Sequence, residues 1–248
     1  MSAPNVDLVL VLDASDSMRP CIDQLRRHLR ELIKPMQGYV GKIRFGLVSL
    51  SASSADGAQV FKVNTLAGGT ESLQPLYAGA RGQYEFFTED PDKMIRTLEQ
   101  IEVTGDEHNL LALDIALDHP FGPSSTTKRI VAMFSDEPLE AGVDRASGVS
   151  RIQALIDKVH KRRVKLFCAM PYSDAAQRLS EANGSEVEAV DGGPGLSSVN
   201  FKALLTQMGK SISVSALQGG LADEAPAALF GQDRWQFGDF GWNGQDAR

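Results

Sequence analysis

The sequence is poor in the features that mark several large classes of protein. Its 248 residues include only two cysteines, far apart, which argues against a disulfide framework or a cysteine-based zinc site. It has no lysine- and arginine-rich run and a net charge of −7, so nucleic acid and anionic membranes are not expected partners. The first apolar run lacks a basic stretch before it and ends at Asp13, so we expect no signal peptide or membrane span and a cytoplasmic location.

Common catalytic signatures are missing as well. Neither the phosphate-binding pattern GxxxxGK[ST] nor the zinc-binding pattern HExxH occurs, and residues 192–195 are typical of a turn rather than of a dinucleotide loop. Ser15 and Ser17 have carboxylates nearby but no placed histidine or lysine, which disfavours a nucleophilic serine. The length alone permits a hydrophobic core without cross-links.

Short β-rich runs alternate with helical periodicity along most of the chain. Strands are predicted over residues 6–12, 43–50, 59–63, 84–87, 129–134, 164–170 and 187–190. Helices are predicted over residues 19–36, 91–101, 110–117, 149–162, 175–182 and 201–212. This alternation predicts an α/β, doubly wound, Rossmann-like fold with a mainly parallel sheet and helices on both faces. Ligands of such sheets bind beyond the carboxyl ends of the strands, where the strand order reverses.

The composition divides the chain into two parts. Residues 1–215 are predicted to form the α/β domain, and residues 216–248 a tail rich in glycine and aromatic residues. One interpretation is that this tail folds back over its own domain. The other is a docking segment, in which Phe230, Trp235 and Trp242 would anchor a partner.

Oxygen-bearing side chains follow the predicted strands at the edge where ligands are expected. Asp13, Ser15 and Ser17 occupy alternate positions after the first strand, Asp136 follows a later strand, and residues 104–107 form a third acidic loop before a helix. Hard divalent cations such as Mg²⁺ prefer oxygen ligands of this kind. Helix capping is the ordinary structural role of such serines. The convergence of three loops favours a metal site.

These residues resemble the signature of the von Willebrand factor type A domain, a strand ending in Asp-x-Ser-x-Ser and an Asp after a later strand. Here the positions are Asp13, Ser15, Ser17 and, in FSDEP, Asp136, and the resemblance covers roughly residues 6–213. It implies a metal-ion-dependent adhesion site holding Mg²⁺, with Mn²⁺ or Ca²⁺ as alternatives. Ser15 and Ser17 would bind the ion directly and the two aspartates through water. One position would remain for a partner's carboxylate.

The sequence departs from the family pattern around this site. The family has a Thr in the second loop, where this chain offers Asp106, with Thr104 as the alternative. A bound Asp106 would neutralise part of the ion's charge, which predicts stronger metal retention and weaker attraction of a partner. Asp16 stands where the family commonly has Gly and adds charge. Glu107 and Glu137 are candidates to contact a partner or to fill the open position themselves.

The resemblance implies a noncatalytic, magnesium-dependent protein-interaction module. Intracellular bacterial members of the family commonly act as adaptors or scaffolds beside AAA+ ATPases, kinases or phosphatases in stress response, defence or signalling. The alternative from the residues is a magnesium-dependent phosphohydrolase with Asp13 as nucleophile and Asp136 as metal ligand. Such enzymes generally have a second Asp two residues after the first, and this chain has Ser15 there.

Overall fold

A computed structural model describes residues 3–55, 58–70, 86–141, 145–191 and 193–217 of the chain. The strands in these ranges are β1 (Asn5–Asp13), β2 (Ile43–Ala55), β3 (Ala58–Thr65), β4 (Gly68–Thr70), β5 (Thr127–Phe134), β6 (Val164–Met170) and β7 (Glu186–Ala189). The α-helices are α1 (Arg19–Ile33), α2 (Pro91–Glu99), α3 (Asn109–Leu117), α4 (Arg145–Arg162), α5 (Asp174–Ser180) and α6 (Phe201–Leu217).

The strands form one sheet in the order β4-β3-β2-β1-β5-β6-β7. Strands β2, β1, β5, β6 and β7 pair in parallel, whereas β3 and β4 are antiparallel additions at one edge. The prediction of an α/β, Rossmann-like fold with a mainly parallel sheet is therefore confirmed. Because β2 lies on one side of β1 and β5 on the other, the strand order reverses between β1 and β5, and their carboxyl ends meet where such folds bind ligands.

Strand β1 lies at the centre of the hydrophobic core. Alternate side chains of a strand point to opposite faces of the sheet, and here they enter two different clusters. Leu8, Leu10 and Leu12 pack in a cluster with residues of α1, α2 and α6. Val9 and Val11 pack in a second cluster with residues of α3, α4 and α5. The continuous apolar run of β1 thus reflects burial on both of its faces.

Several elements differ from prediction in their bounds or type. Helix α1 ends at Ile33, and a short 3₁₀ turn follows at Lys34–Met36, because Pro35 cannot continue an α-helix. Helix α6 continues beyond the predicted end to Leu217. The strand predicted over residues 84–87 is wrong for Phe86 and Phe87, which are buried in the second cluster outside any strand, and positions 84–85 lie outside the described residues.

Both cysteines match expectation, because Cys21 and Cys168 are free and buried. None of the helices within the described ranges is long and apolar enough to cross a membrane. The aromatic residues of the predicted tail, Phe230, Trp235 and Trp242, lie outside the described residues. Their role in docking stays a prediction.

Candidate metal site

The loop after β1 carries two hydroxyl groups side by side. Ser15 and Ser17 have their Oγ atoms 3.2 Å apart at the short 3₁₀ helix Asp16–Met18 that precedes α1. Ser15 occupies the capping position of this 3₁₀ helix, but its side chain makes no capping hydrogen bond. The capping interpretation is therefore wrong for the Ser15 hydroxyl. Both oxygens lie at the carboxyl end of β1, as the sequence predicted.

Asp13, the last residue of β1, connects three loops. Its Oδ1 accepts a hydrogen bond from the Ser15 backbone N–H at 2.8 Å, and its Oδ2 accepts one from the Ser135 hydroxyl at 3.0 Å. The Ser135 Oγ in turn accepts from the side-chain amide of Asn109, the first residue of α3, at 2.8 Å. Sequence reasoning missed Asn109 and gave Ser135 no role, because neither position stands out before the loops are brought together.

Ionisation of the buried Asp13 carboxyl group destabilises the folded protein. Burial raises its pKa from 3.8 to about 6, against the opposing effect of hydrogen bonds from Ser15 and Ser135, and the nearby carboxylate of Glu107 adds to the rise. Because the folded-state pKa exceeds the unfolded one, the free energy of unfolding falls as pH rises from about 4 to about 6. At neutral pH the cost is about 3 kcal/mol. A cation close to Asp13 would offset it.

Asp136, directly after Ser135, is hydrogen-bonded to the segment between β7 and α6. Its Oδ2 accepts a hydrogen bond from the Gly195 backbone N–H at 2.5 Å, whereas its Oδ1 is buried without a hydrogen-bond partner among the described residues. Burial raises the pKa of the Cys21 thiol in α1, and the carboxylates of Asp136 and Asp13 both add to the rise. Sequence reasoning predicted this pair but missed Gly195.

The second-loop candidates lie in residues 104–107, which are hydrogen-bonded to β2 and to the residue that follows β1. The backbone N–H of Thr104 donates to the Ala14 carbonyl at 2.9 Å, and Asp106 exchanges two backbone hydrogen bonds with Ala52, at 2.6 and 2.9 Å. Gly105 between them has φ +73°, a conformation that favours glycine. The side chains of Thr104 and Asp106 are both exposed. The choice between them as a metal ligand therefore stays a prediction.

Further carboxylates surround these loops without meeting at one point. Glu107 is half-buried and Glu137 is exposed, and the pKa of Glu137 is raised by burial and then by Glu107 and Asp136. Within the described part of the chain, no three histidine, cysteine, aspartate or glutamate side chains converge closely enough to hold a metal ion. An ion at this edge would therefore need the serine hydroxyls as ligands.

Buried polar atoms without partners are concentrated at this edge. Six such side-chain atoms occur among the described residues, and four of them lie here: His108 Nδ1, Asn109 Oδ1, Asp136 Oδ1 and Glu140 Oε2. Leaving a buried polar group unpaired costs about 1–3 kcal/mol. Such groups are rare in folded proteins, and a concentration of them is typical of a site that binds an ion, water or another ligand.

Comparison with protein families and with curated proteins does not identify this edge. The chain matches no protein-family model and no curated protein. Its chemistry must therefore be judged from the atoms themselves. Two hydroxyls and two carboxylates lie at the point of strand-order reversal, and this oxygen set fits the ligand preference of Mg²⁺ and Ca²⁺ rather than that of softer metals.

Proposed function

We propose that this edge is a metal-ion-dependent adhesion site of the von Willebrand factor type A kind, which binds Mg²⁺ and presents it to a carboxylate of a protein partner. Ser15 and Ser17 would hold the ion directly, and Asp13 and Asp136 would act through water, as the resemblance implies. Asp106 would supply the second-loop ligand. The ion would contribute positive charge for capturing the partner's carboxylate.

The observation that carries this proposal is the convergence of the Ser15–Ser17 pair with Asp13 and Asp136 at the ends of β1 and β5. Asp13 is 1% exposed, and burial raises the pKa of its carboxyl group. The Oδ1 atom of Asp136 is buried without a partner among the described residues. A divalent ion would supply positive charge to Asp13, and its bound water would donate a hydrogen bond to Asp136 Oδ1. Both interactions would offset the free-energy cost of burying these groups.

The biological role we propose is that of an adaptor or scaffold without catalytic activity. The resemblance suggests an AAA+ ATPase, a kinase or a phosphatase as partner, in a bacterial stress-response, defence or signalling system, and a cytoplasmic setting. The geometry of Asp13 favours this role over a phosphohydrolase. Both of its carboxylate oxygens accept hydrogen bonds and the residue is buried, whereas a nucleophile needs an oxygen that can reach the phosphorus atom.

Capture of a partner from an extract of the source cells tests this role. The immobilised full chain should retain a specific protein in Mg²⁺, release it when EDTA is added, and retain it again when Mg²⁺ is restored, because the ion would form the bond to the partner's carboxylate. A Ser15→Ala/Ser17→Ala chain should capture nothing specific in either buffer. Capture that is equal with and without EDTA would exclude a metal-dependent adaptor, as would turnover of aryl phosphates that Asp13→Asn abolishes.

A further inference from the structure

Charge is distributed unevenly between the two ends of the sheet. At the carboxyl end, the loops after the parallel strands and the loop before α3 carry exposed or half-buried acidic residues: Asp16, Asp106, Glu107, Asp136, Glu137, Glu140, Asp174 and Asp191. At the amino end, basic residues near the starts of β2 and β6 are paired with acidic ones, in the ion pairs Lys42–Glu89, Arg44–Asp7, Arg162–Asp118 and Lys165–Glu186. The acidic residues named at the carboxyl end, in contrast, form no ion pair within the described residues.

Acidic side chains near the candidate metal site raise the pKa of neighbouring carboxyl groups. Glu107 raises the pKa of Asp13, and Glu107 and Asp136 raise that of Glu137. No lysine or arginine in the described residues offsets these effects on the pKa of Glu137. Arg151 instead lowers the pKa of His108, after the larger effect of burial. The four carboxylates of Asp13, Glu107, Asp136 and Glu137 thus outnumber the two charges of one divalent ion.

The buried atoms without partners at this edge are mostly hydrogen-bond acceptors. Three of the four at this edge are acceptors, namely the Oδ1 atoms of Asn109 and Asp136 and Oε2 of Glu140. Asn109 is 1% exposed, and its amide nitrogen already donates to Ser135 and to the Pro138 carbonyl, which fixes the orientation of the amide group. The interior of the edge is therefore rich in acceptors, like its exposed acidic rim.

We propose that the partner presents its metal-binding carboxylate within a cluster of lysine or arginine residues. This inference rests on the proposed metal site and adds the charge of the ligand's surroundings. A carboxylate in neutral surroundings would gain from the ion but would be repelled by Glu107, Glu137 and Asp136. Basic neighbours of that carboxylate would instead pair with the acidic rim, accelerate encounter and set its orientation.

Short peptides of defined charge test this inference directly. The probes are three fluorescent peptides: a glutamate flanked on both sides by lysines, a glutamate flanked by glycines, and a glutamine flanked by lysines. Binding to the full chain is followed by fluorescence anisotropy in Mg²⁺. The lysine-flanked glutamate should bind about tenfold more tightly than either other peptide, which corresponds to a few exposed ion pairs around one metal contact. Its advantage should shrink as salt concentration rises.

Removing rim charges should change the preference between peptides. In a Glu107→Gln/Glu137→Gln chain, the glycine-flanked glutamate should bind more tightly and the lysine-flanked glutamate less tightly, so that the two differ by less than about threefold. The matched control is Glu31→Gln/Glu181→Gln, which removes two carboxylates located away from the site and should leave the tenfold preference intact. Equal affinities of the wild-type chain for the first two peptides would overturn the inference.

Two further measurements distinguish this inference from its alternatives. Titration of Mg²⁺ into the same samples measures binding at the metal site itself. Binding of Mg²⁺ without a preference between the peptides would overturn this inference alone. Absence of Mg²⁺ binding would overturn the proposed function. A second copy of the chain is the competing occupant of the acidic edge. Dimers or longer assemblies of the wild-type chain in Mg²⁺, measured by sedimentation, would assign the edge to self-association and overturn a separate partner.

Discussion

Replacing Ser15 and Ser17 together by alanine should weaken Mg²⁺ binding by at least about 100-fold. The two hydroxyl oxygens lie 3.2 Å apart, and they are the proposed direct ligands at an edge where no three described histidine, cysteine, aspartate or glutamate side chains come together. Alanine removes both ligands and adds no bulk, so the metal-free fold should lose only about 1 kcal/mol of stability. Isothermal titration calorimetry with Mg²⁺ measures the affinity, and urea unfolding in EDTA measures the stability.

Another pair of buried serines provides the matched control. Ser211 and Ser213 in α6 have the same spacing, and their hydroxyls donate to Glu186 and to the Pro35 and Gly209 carbonyls. A Ser211→Ala/Ser213→Ala chain should lose stability but keep its Mg²⁺ affinity, because these hydroxyls lie outside the site. If both double variants bind Mg²⁺ like the wild type, the first loop does not hold the ion.

The same titration distinguishes the two candidates in the second loop. Asp106→Ala should weaken Mg²⁺ binding about tenfold, because a carboxylate near a divalent ion contributes a charge interaction that alanine removes. Thr104→Ala should change the affinity by less than about twofold. A larger effect at Thr104 would make its hydroxyl the ligand, as in the family pattern, and no effect in either variant would exclude this loop from the site.

Replacing Gly195 by alanine should destabilise the protein by about 3 kcal/mol and also weaken Mg²⁺ binding. Gly195 has φ +65°, and an added Cβ would lie 2.4 Å from the Ser17 carbonyl oxygen and 2.7 Å from Pro20 Cδ. Relief of these contacts must shift either the loop that carries Ser17 or the backbone N–H that donates to Asp136. Urea unfolding in EDTA and Mg²⁺ titration measure the two effects.

Gly184 separates the steric contact from the backbone conformation. Gly184 has nearly the same φ, +66°, but an added Cβ there would meet no atom within 4 Å. Gly184→Ala should therefore cost only the conformational penalty of about 1 kcal/mol and leave the Mg²⁺ affinity unchanged. Equal losses of stability in the two variants would mean that close packing of Gly195 against the first loop does not support the site.

Much of the fold could be predicted because it depends on patterns that are local in the sequence. The apolar run of β1 indicated a strand buried on both faces, and alternating strands and helices indicated parallel pairing. The strand assignment at Phe86 and Phe87 failed for a physical reason. Their large aromatic side chains are buried next to His119, so tertiary packing rather than strand pairing accounts for their apolar character.

The candidate site was only partly predictable. Asp13, Ser15, Ser17 and Asp136 could be predicted because each follows a recognisable strand, and topology brings the ends of those strands together. Asn109 could not, because its contribution is a hydrogen bond to Ser135, 26 positions away in the chain. The role of Gly195 likewise depends on a close approach to Ser17 that a turn-forming sequence does not specify.

The most direct measurement of the central claim is the position of a bound ion. Crystals of the full chain grown with Mn²⁺, which replaces Mg²⁺ at oxygen sites and scatters anomalously, would locate it. The proposal predicts one strong anomalous peak bounded by the Ser15 and Ser17 hydroxyls, with Asp13 and Asp136 on either side, and its loss when Ser15→Ala/Ser17→Ala crystals are used. An ordered site without a peak, or a peak elsewhere on the molecule, would contradict it.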